Sequence, residues 1–398
     1  MKLLTFLLSL LSLTALAQAD FEKSLQKRLI LAEDGTTIEI EAGRFQLTKS
    51  LSLEGKKNIT LRGKGIDKTI LSFKGQTQGA EGIRVSNCEN IVMEDMTTED
   101  SKGDLIKTMN VKGITFRRLK AAWTGGPKST NGSYALYPVL CENVLIDSCI
   151  AIGASDAGIY VGQSKHIIVR NSEAYENVAG IEIENSLYAD VYNNKAIGNT
   201  GGILVFDLPD LVQKKGGHVR VHHNLVKENN LKNFAPKGNI VGNVPRGTGM
   251  MVLAASNVEF FENQIINNAT IGVAIISYYM TENAIKDKDY DPYPTAVSIH
   301  HNTFERKPRR VPMDSRFGKM YRFVLRFGRH VPAVVYDGIL NPAKVGPDGK
   351  YPLDYSICVR DNVNQSTAFL DAEHNFKGLK QGKDLFDCDF EHVKSTKF

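Results

Sequence analysis

The sequence predicts an all-β solenoid, a parallel β-helix of about ten coils. Three observations predict it. Short alternations of apolar and polar residues recur along most of the chain. They step by 22 or 23 residues wherever nothing is inserted. Glycines and asparagines return at set places between them, where turns are needed.

The first element is a leader. MKLLTFLLSLLSLTALAQA carries Lys2, an apolar run from Leu3 to Leu16, and the small-x-small site Ala17-Gln18-Ala19. That pattern predicts a signal peptide over residues 1–19 and a periplasmic or secreted mature chain. The run is short for a bilayer, and no later stretch could span one. Residues 20–33, DFEKSLQKRLILAE, follow as an amphipathic helix that caps one open end of the stack.

The coils come next. A first strand series takes Ile91, Ile114, Val144, Ile167, Val219, Val258 and Val297 as equivalent inward positions. Asp190 takes the same register imperfectly, and Ile59 and Ile357 begin outer copies. A second series reads GIRV at Gly82, GIYV at Gly158, GIEI at Gly180, GILV at Gly202, GMMV at Gly249 and GVAI at Gly272. Alternate side chains of a strand face opposite ways, so each strand offers one apolar face. One coil cannot bury that face, whereas stacked coils can. Asn171, Asn194, Asn224, Asn263 and Asn302 recur after the first strand, and Asn177, Asn199, Asn229 and Asn268 before the second. They read as structural ladders. Loop insertions fall at about 123–133, 230–248, 277–296 and 303–354 within a single domain over 20–398. Residues 363–398 are expected to be an irregular cap.

Composition adds bounds. The chain is 42% hydrophobic and 23% charged, which fits neither disorder nor a membrane protein. Net charge is +5, and the excess is local: residues 305–330 hold nine Lys or Arg against two acids. A generally basic chain seeking nucleic acid is therefore not indicated. That basic segment reads either as a polyanion-binding patch or as a wrapping element neutralised elsewhere. Five cysteines leave at least one unpaired within the chain. Cys358 and Cys388 could pair. Cys88 and Cys141 sit two coils apart, about 9.6 Å at the strand spacing. That exceeds the roughly 7 Å limit for a disulfide.

The opener TTIEIEAGRFQL…NITLRGKGIDKTIL, followed by N-x-x-N and G-I-x-V coils, resembles exported bacterial right-handed parallel β-helix repeat proteins of the pectin-lyase-like superfamily. The resemblance covers roughly residues 34–305. It implies that fold, export, and for some members a neighbouring exported cytochrome-like partner. Mannuronan C5-epimerases are similar at a greater distance, with an Asp-Pro-His-Asp motif. GASDAG at Gly153–Gly158 occupies a comparable turn without the proline and histidine.

Two insertions, at 123–133 and 230–248, rise from one edge of the stack, near Asp100 and Asp156. The outward positions of the second series should stand in a row: Arg84, Lys107, Tyr137, Tyr160, Glu182, Leu204. Such a row is either a solvated face or a groove for an acidic polysaccharide. Rings stack on pyranose faces, and Arg and Lys pair with uronate carboxylates. In lyase or epimerase chemistry a base removes the proton beside a uronate carboxylate while a cation stabilises the product anion. The expected catalytic set is Lys107, Tyr160, Arg84 and Asp156. Tyr137, Glu182, Trp123 and Asp100 are expected to bind substrate. The alternative is a non-catalytic binding or assembly protein. No cofactor is assigned. The outward row of the first series, Glu94, Arg117, Asp147, Arg170, reads as an ion-pair ladder. His223, Glu262 and His301 form a possible metal column, and Asp287, Asp289 and Asp291 a possible calcium loop, each against a plain surface reading.

Overall fold

The computed structural model describes residues 20–397, so the expected leader lies outside the described residues. Three parallel sheets wind around one apolar interior. In the first, eleven strands stack from Thr37–Glu39 to Ile357–Arg360. The second runs from Gly43–Gln46 to Thr303–Glu305. Glu89–Glu99 and Lys112–Ala122 turn the corner and serve both. The third stacks eleven parallel strands from Lys49–Glu54 to Thr367–Phe369, followed by the antiparallel Lys380–Gly382. The segment expected to be an irregular cap thus holds regular strands, and Thr303–Glu305 and Val334–Tyr336 are rungs inside the 303–354 span.

Alternation sets the interior. Ile91, Ile114, Val144, Ile167, Ala189, Val219, Val258, Val297 and Ile357 are successive partners and all are buried. Ala189, not Asp190, fills the rung after Ile167; Asp190 lies beside Ile168 and Arg220 on the outer side. A carboxylate in the apolar interior would cost several kcal/mol, so register follows the small apolar residue.

The recurring glycine has a packing cause. A Cβ on Gly202 would lie 2.4 Å from the Gly249 carbonyl and 2.9 Å from the Asn229 amide. The asparagines do form ladders. The side-chain amides of Asn194, Asn224, Asn263 and Asn302 each donate to the next coil's Asn, at 2.9–3.0 Å, ending on Asn362. Asn171 stands outside this ladder and donates to Asp147; Ser172 takes the ladder position instead. Asn177, Asn199, Asn229 and Asn268 form the second ladder as expected.

The end of the stack is capped by a helix over residues 20–31, with Leu25 and Leu29 buried and Phe21 stacked on Phe45. Cys358 and Cys388 are bonded, while Cys88, Cys141 and Cys149 are free and buried. Among the described residues no helix is long and apolar enough to cross a membrane.

One feature positions the site. A second apolar cluster forms on the outer face of the third sheet, where Leu204, Met251 and Val335 meet Val241, Val244, Tyr321 and Phe327 from insertions. The later coils of that sheet are therefore covered on both sides. The earlier coils keep an open outer face, carrying Arg84, Lys107 and Tyr137.

Candidate functional site

Six strands of the third sheet build the row. Arg84 pairs with Lys107, Lys107 with Tyr137, Tyr160 with Glu182, and Glu182 with Leu204. The Leu136–Ile159 pairing sets Tyr137 abreast of Tyr160, and their rings meet edge-on at 5.1 Å. Tyr134 packs against both, at 4.4 and 4.3 Å between centroids. Lys107 Nζ lies 4.9 Å from the centre of the Tyr137 ring and 3.7 Å from Glu81. Arg84 is exposed, and Lys107 and Tyr137 are half-buried.

Behind this strip lies a group of carboxyls. Tyr160 donates its hydroxyl to Glu184 Oε1 at 2.6 Å. Asp156 Oδ2 accepts from Asn239 Nδ2 at 3.0 Å and from the Tyr134 hydroxyl at 3.5 Å. Burial, helped by the Glu184 charge, pushes Asp156 up to about 7, against the bonds from Asn239 and Tyr134. Burial also pushes Glu184 up to about 7, against hydrogen bonds from Tyr160 and Glu182. Glu182 is raised well above the usual carboxylate range by burial first, then by the Asp156 and Glu184 charges. Asp104 is pushed up to about 6 by burial, opposed by the Tyr134 backbone N–H and by Lys107. Such a cluster holds protons near neutral pH and can exchange them.

Several expectations need correction. Tyr160 and Glu182 are 3% and 1% exposed, so neither lies on an open surface. The 230–248 insertion folds over this end of the row and brings Asn239 to Asp156. Burial raises the Tyr160 phenol, so it stays protonated and acts as a donor, not as a base. Trp123 is buried in the interior cluster, with its indole N–H on the Ser101 carbonyl at 3.0 Å; it offers no stacking face. Asp100 caps the 123–133 insertion by accepting from the Thr124 backbone and hydroxyl, at 2.7 and 2.6 Å. Both carboxylate oxygens are used there, which leaves it a loop-holding role.

Glu184, Tyr134, Asp104 and Asn239 belong to the site but carried no expectation. Glu184 was visible in principle: in GIEIE it follows Glu182 by two, hence on the same face. Asn239 has no such signal, because it arrives from a loop 83 residues away.

Other candidates resolve differently. The first-sheet row forms ion pairs, Arg117 with Glu94 at 3.5 Å and Arg170 with Asp147 at 2.8 Å. The possible calcium loop is engaged by lysines: Lys214 meets Asp287 at 2.9 Å, and Lys344 meets Asp291 at 2.8 Å. His223 meets Glu262 at 3.0 Å, but His301 turns to His300 instead, so the possible column does not form and the plain surface reading stands. In the basic segment, Arg316 pairs with Glu282 at 2.6 Å. A surface concavity of about 880 Å³ lies away from the row, among Asn268, Phe304, Arg306, Lys307, His330 and Gln365. Its lining mixes amides and cations with the single carboxylate Glu305, without the buried carboxyl cluster of the row.

Three parallel sheets wound around one core, with a solvent-facing but partly buried strip of Arg84, Lys107 and Tyr137 beside buried carboxyls on one of them, define a right-handed parallel β-helix protein with a candidate polymer-binding face. The sequence pattern of the family described as "Right handed beta helix region" matches residues 48–207 and 128–304. The chain belongs to that family. No curated protein sequence matches it. Among solved structures, it is similar to the A-module of the Azotobacter vinelandii mannuronan C-5 epimerase AlgE4, at TM-score 0.54 and 14% identity, over 87% of this chain and 90% of that one. It is likewise similar to the AlgE6 A-module of the same organism, at TM-score 0.53 and 14% identity, over 88% and 91%. An alginate lyase from Paenibacillus sp. str. FPU-7 aligns at TM-score 0.47 and 13% identity, over 72% and 93%. These likenesses concern the fold.

Proposed function

We propose that this chain binds an acidic polysaccharide along the open half of the third sheet and acts on it by proton transfer. The observation that carries the reading is the adjacency of Arg84, Lys107 and Tyr137 to buried carboxyls that titrate near 7. Arg84 and Lys107 suit uronate carboxylates, and the tyrosine ring suits a sugar face. Two of the similar folds are named as mannuronan C-5 epimerase modules, and mannuronan is an acidic polysaccharide.

Epimerisation and β-elimination both start with loss of the proton beside a uronate carboxylate. Arg84 and Lys107 would hold that carboxylate and stabilise the anion formed. Glu184 or Asp156 would take the proton, and Tyr160 would return one. Binding at Arg84, Lys107 and Tyr137 needs no rearrangement. Chemistry through the carboxyls requires the 230–248 insertion to move aside. The same burial favours the second reading, a binding protein without chemistry. Export fits the Cys358–Cys388 bond, since disulfides persist in oxidising compartments.

Incubation with alginate and pectate separates the readings. Unsaturated-uronate absorbance reports elimination, NMR of the polymer reports C5 inversion, and retardation in polymer-loaded native gels reports binding. Retardation alone selects the binding protein. Silence in all three rejects the acidic-polysaccharide reading.

A further inference from the structure

The first sheet carries a second constellation, on the opposite series of strands from the row above. Tyr192, His222, Phe261 and His300 are consecutive outward partners, and their rings stack at 5.1, 4.6 and 5.3 Å. Beside them runs a polar column, Asp190, Arg220, Glu259, Ser298 and Cys358. The C-terminal tail lies along that column. Cys388 is bonded to Cys358 at one end, and the Thr396 backbone donates to Asp190 at 2.7 Å near the other. Between these anchors His392 reaches Glu259.

We propose that Glu259, His300 and His392 form a divalent transition-metal site that clasps the C-terminal tail onto the first sheet. Glu259 Oε1 lies 2.9 Å from His300 Nε2 and 2.5 Å from His392 Nδ1. All three ligand atoms fall within 4.8 Å of one another. A tetrahedral ion with bonds of about 2.0–2.1 Å separates its ligands by roughly 3.3 Å, so small side-chain shifts admit one.

A second observation points the same way. Glu259 is 2% exposed, and its Oε2 has no hydrogen-bond partner. Arg220 Nε is the nearby cation, at 3.7 Å, but it lies beyond hydrogen-bond distance and also lacks a partner. Arg220 is instead committed to Asp190, at 2.9 Å. A carboxylate buried with one oxygen unmatched carries poorly compensated negative charge, and a cation on its other oxygen, facing the two imidazoles, offsets that charge.

The surroundings are those a metal-bound imidazole requires. His300 Nδ1 is 2.8 Å from His301 Nδ1, and its ring is fixed in the aromatic stack. When an ion replaces the Nε2–Glu259 hydrogen bond, the imidazole proton sits on Nδ1, shared with His301, and the Nε2 lone pair is the ligand. Imidazole and carboxylate donors suit Zn²⁺ and its first-row neighbours over Ca²⁺ or Mg²⁺. His392 is half-exposed, which leaves the fourth position of a tetrahedral ion open to solvent.

The test uses the purified chain, stripped with a chelator and dialysed. Zn²⁺ is titrated by calorimetry, and Co²⁺ absorbance reports the ligand field. One ion per chain is expected, with at least about tenfold weaker binding in His392→Ala and in Glu259→Gln. The tail should resist protease with Zn²⁺ and be cleaved without it. His392→Ala lies on a disulfide-tethered tail and leaves the coils intact; His223→Ala is the surface control and should bind as the parent does. No Zn²⁺ binding by the parent, or unchanged binding by His392→Ala, overturns the proposal.

Discussion

Replacing Glu184 by glutamine tests the buried carboxyls directly. In the folded chain Glu184 is pushed from 4.5 up to about 7, chiefly by burial. The folded state therefore keeps a proton that the unfolded chain releases above about pH 4.5. Stability from this group is complete below that pH, is lost as pH rises through about 7, and stays low above it. The displacement corresponds to about 3 kcal/mol at pH 8. Glutamine never ionises, and its carbonyl can still accept the Tyr160 hydroxyl. Glu184→Gln should match the parent near pH 4.5 and exceed it by about 2–3 kcal/mol at pH 8. Urea unfolding at the two pH values, followed by the fluorescence of Trp123, the single tryptophan, gives the comparison. A variant destabilised equally at both pH values would refute the claim that Glu184 holds its proton through burial.

Other outcomes follow from the same structure. Asn224→Ala removes the acceptor of the Asn194 backbone N–H and of its amide, so buried donors are left bare; a loss of about 2–4 kcal/mol is expected in urea unfolding. Asn171→Ala, outside the ladder, loses one exposed hydrogen bond to Asp147 and puts alanine at a left-handed backbone, so the same assay should show a smaller loss, about 1 kcal/mol. Tyr160→Phe deletes the hydrogen bond that lowers Glu184, so NMR titration should find the Glu184 pKa higher than in the parent. Cys88, Cys141 and Cys149 are buried, and burial raises their thiols, Cys149 up to about 12. Alkylation at pH 8, read by mass spectrometry, should leave all three unmodified until the chain is unfolded.

Periodicity made the coils legible. A period of two along each strand and a step of 22 or 23 residues were enough to place Ile167 above Val144 and Lys107 beside Arg84. Asp190 and Asn171 each sit one residue from the expected register: Ala189 is a weak apolar signal beside Asp190 in mid-strand, and at the Asn171–Ser172 corner either polar side chain could serve the ladder. The insertions were visible as interruptions, yet their docking was not. Whether the 230–248 segment lies over Tyr160 depends on Val241 and Val244 finding Leu204 and Phe206, which no local pattern states. The apolar change at Leu204 in an otherwise polar row was the sole hint. His392 meets Glu259 across 133 residues and through a tail with no repeat, so that contact could not be read in advance.

The central claim is that polymer carboxylates are held by Arg84 and Lys107 on the open outer face of the third sheet. Native affinity electrophoresis in alginate-loaded gels, comparing the parent with the Arg84→Ala/Lys107→Ala double variant, measures it most directly. Each contact is worth up to about 1 kcal/mol at the surface, so the double variant should bind about five- to tenfold more weakly, and the parent's retardation should fade with added salt. Equal retardation of the two proteins would contradict the account.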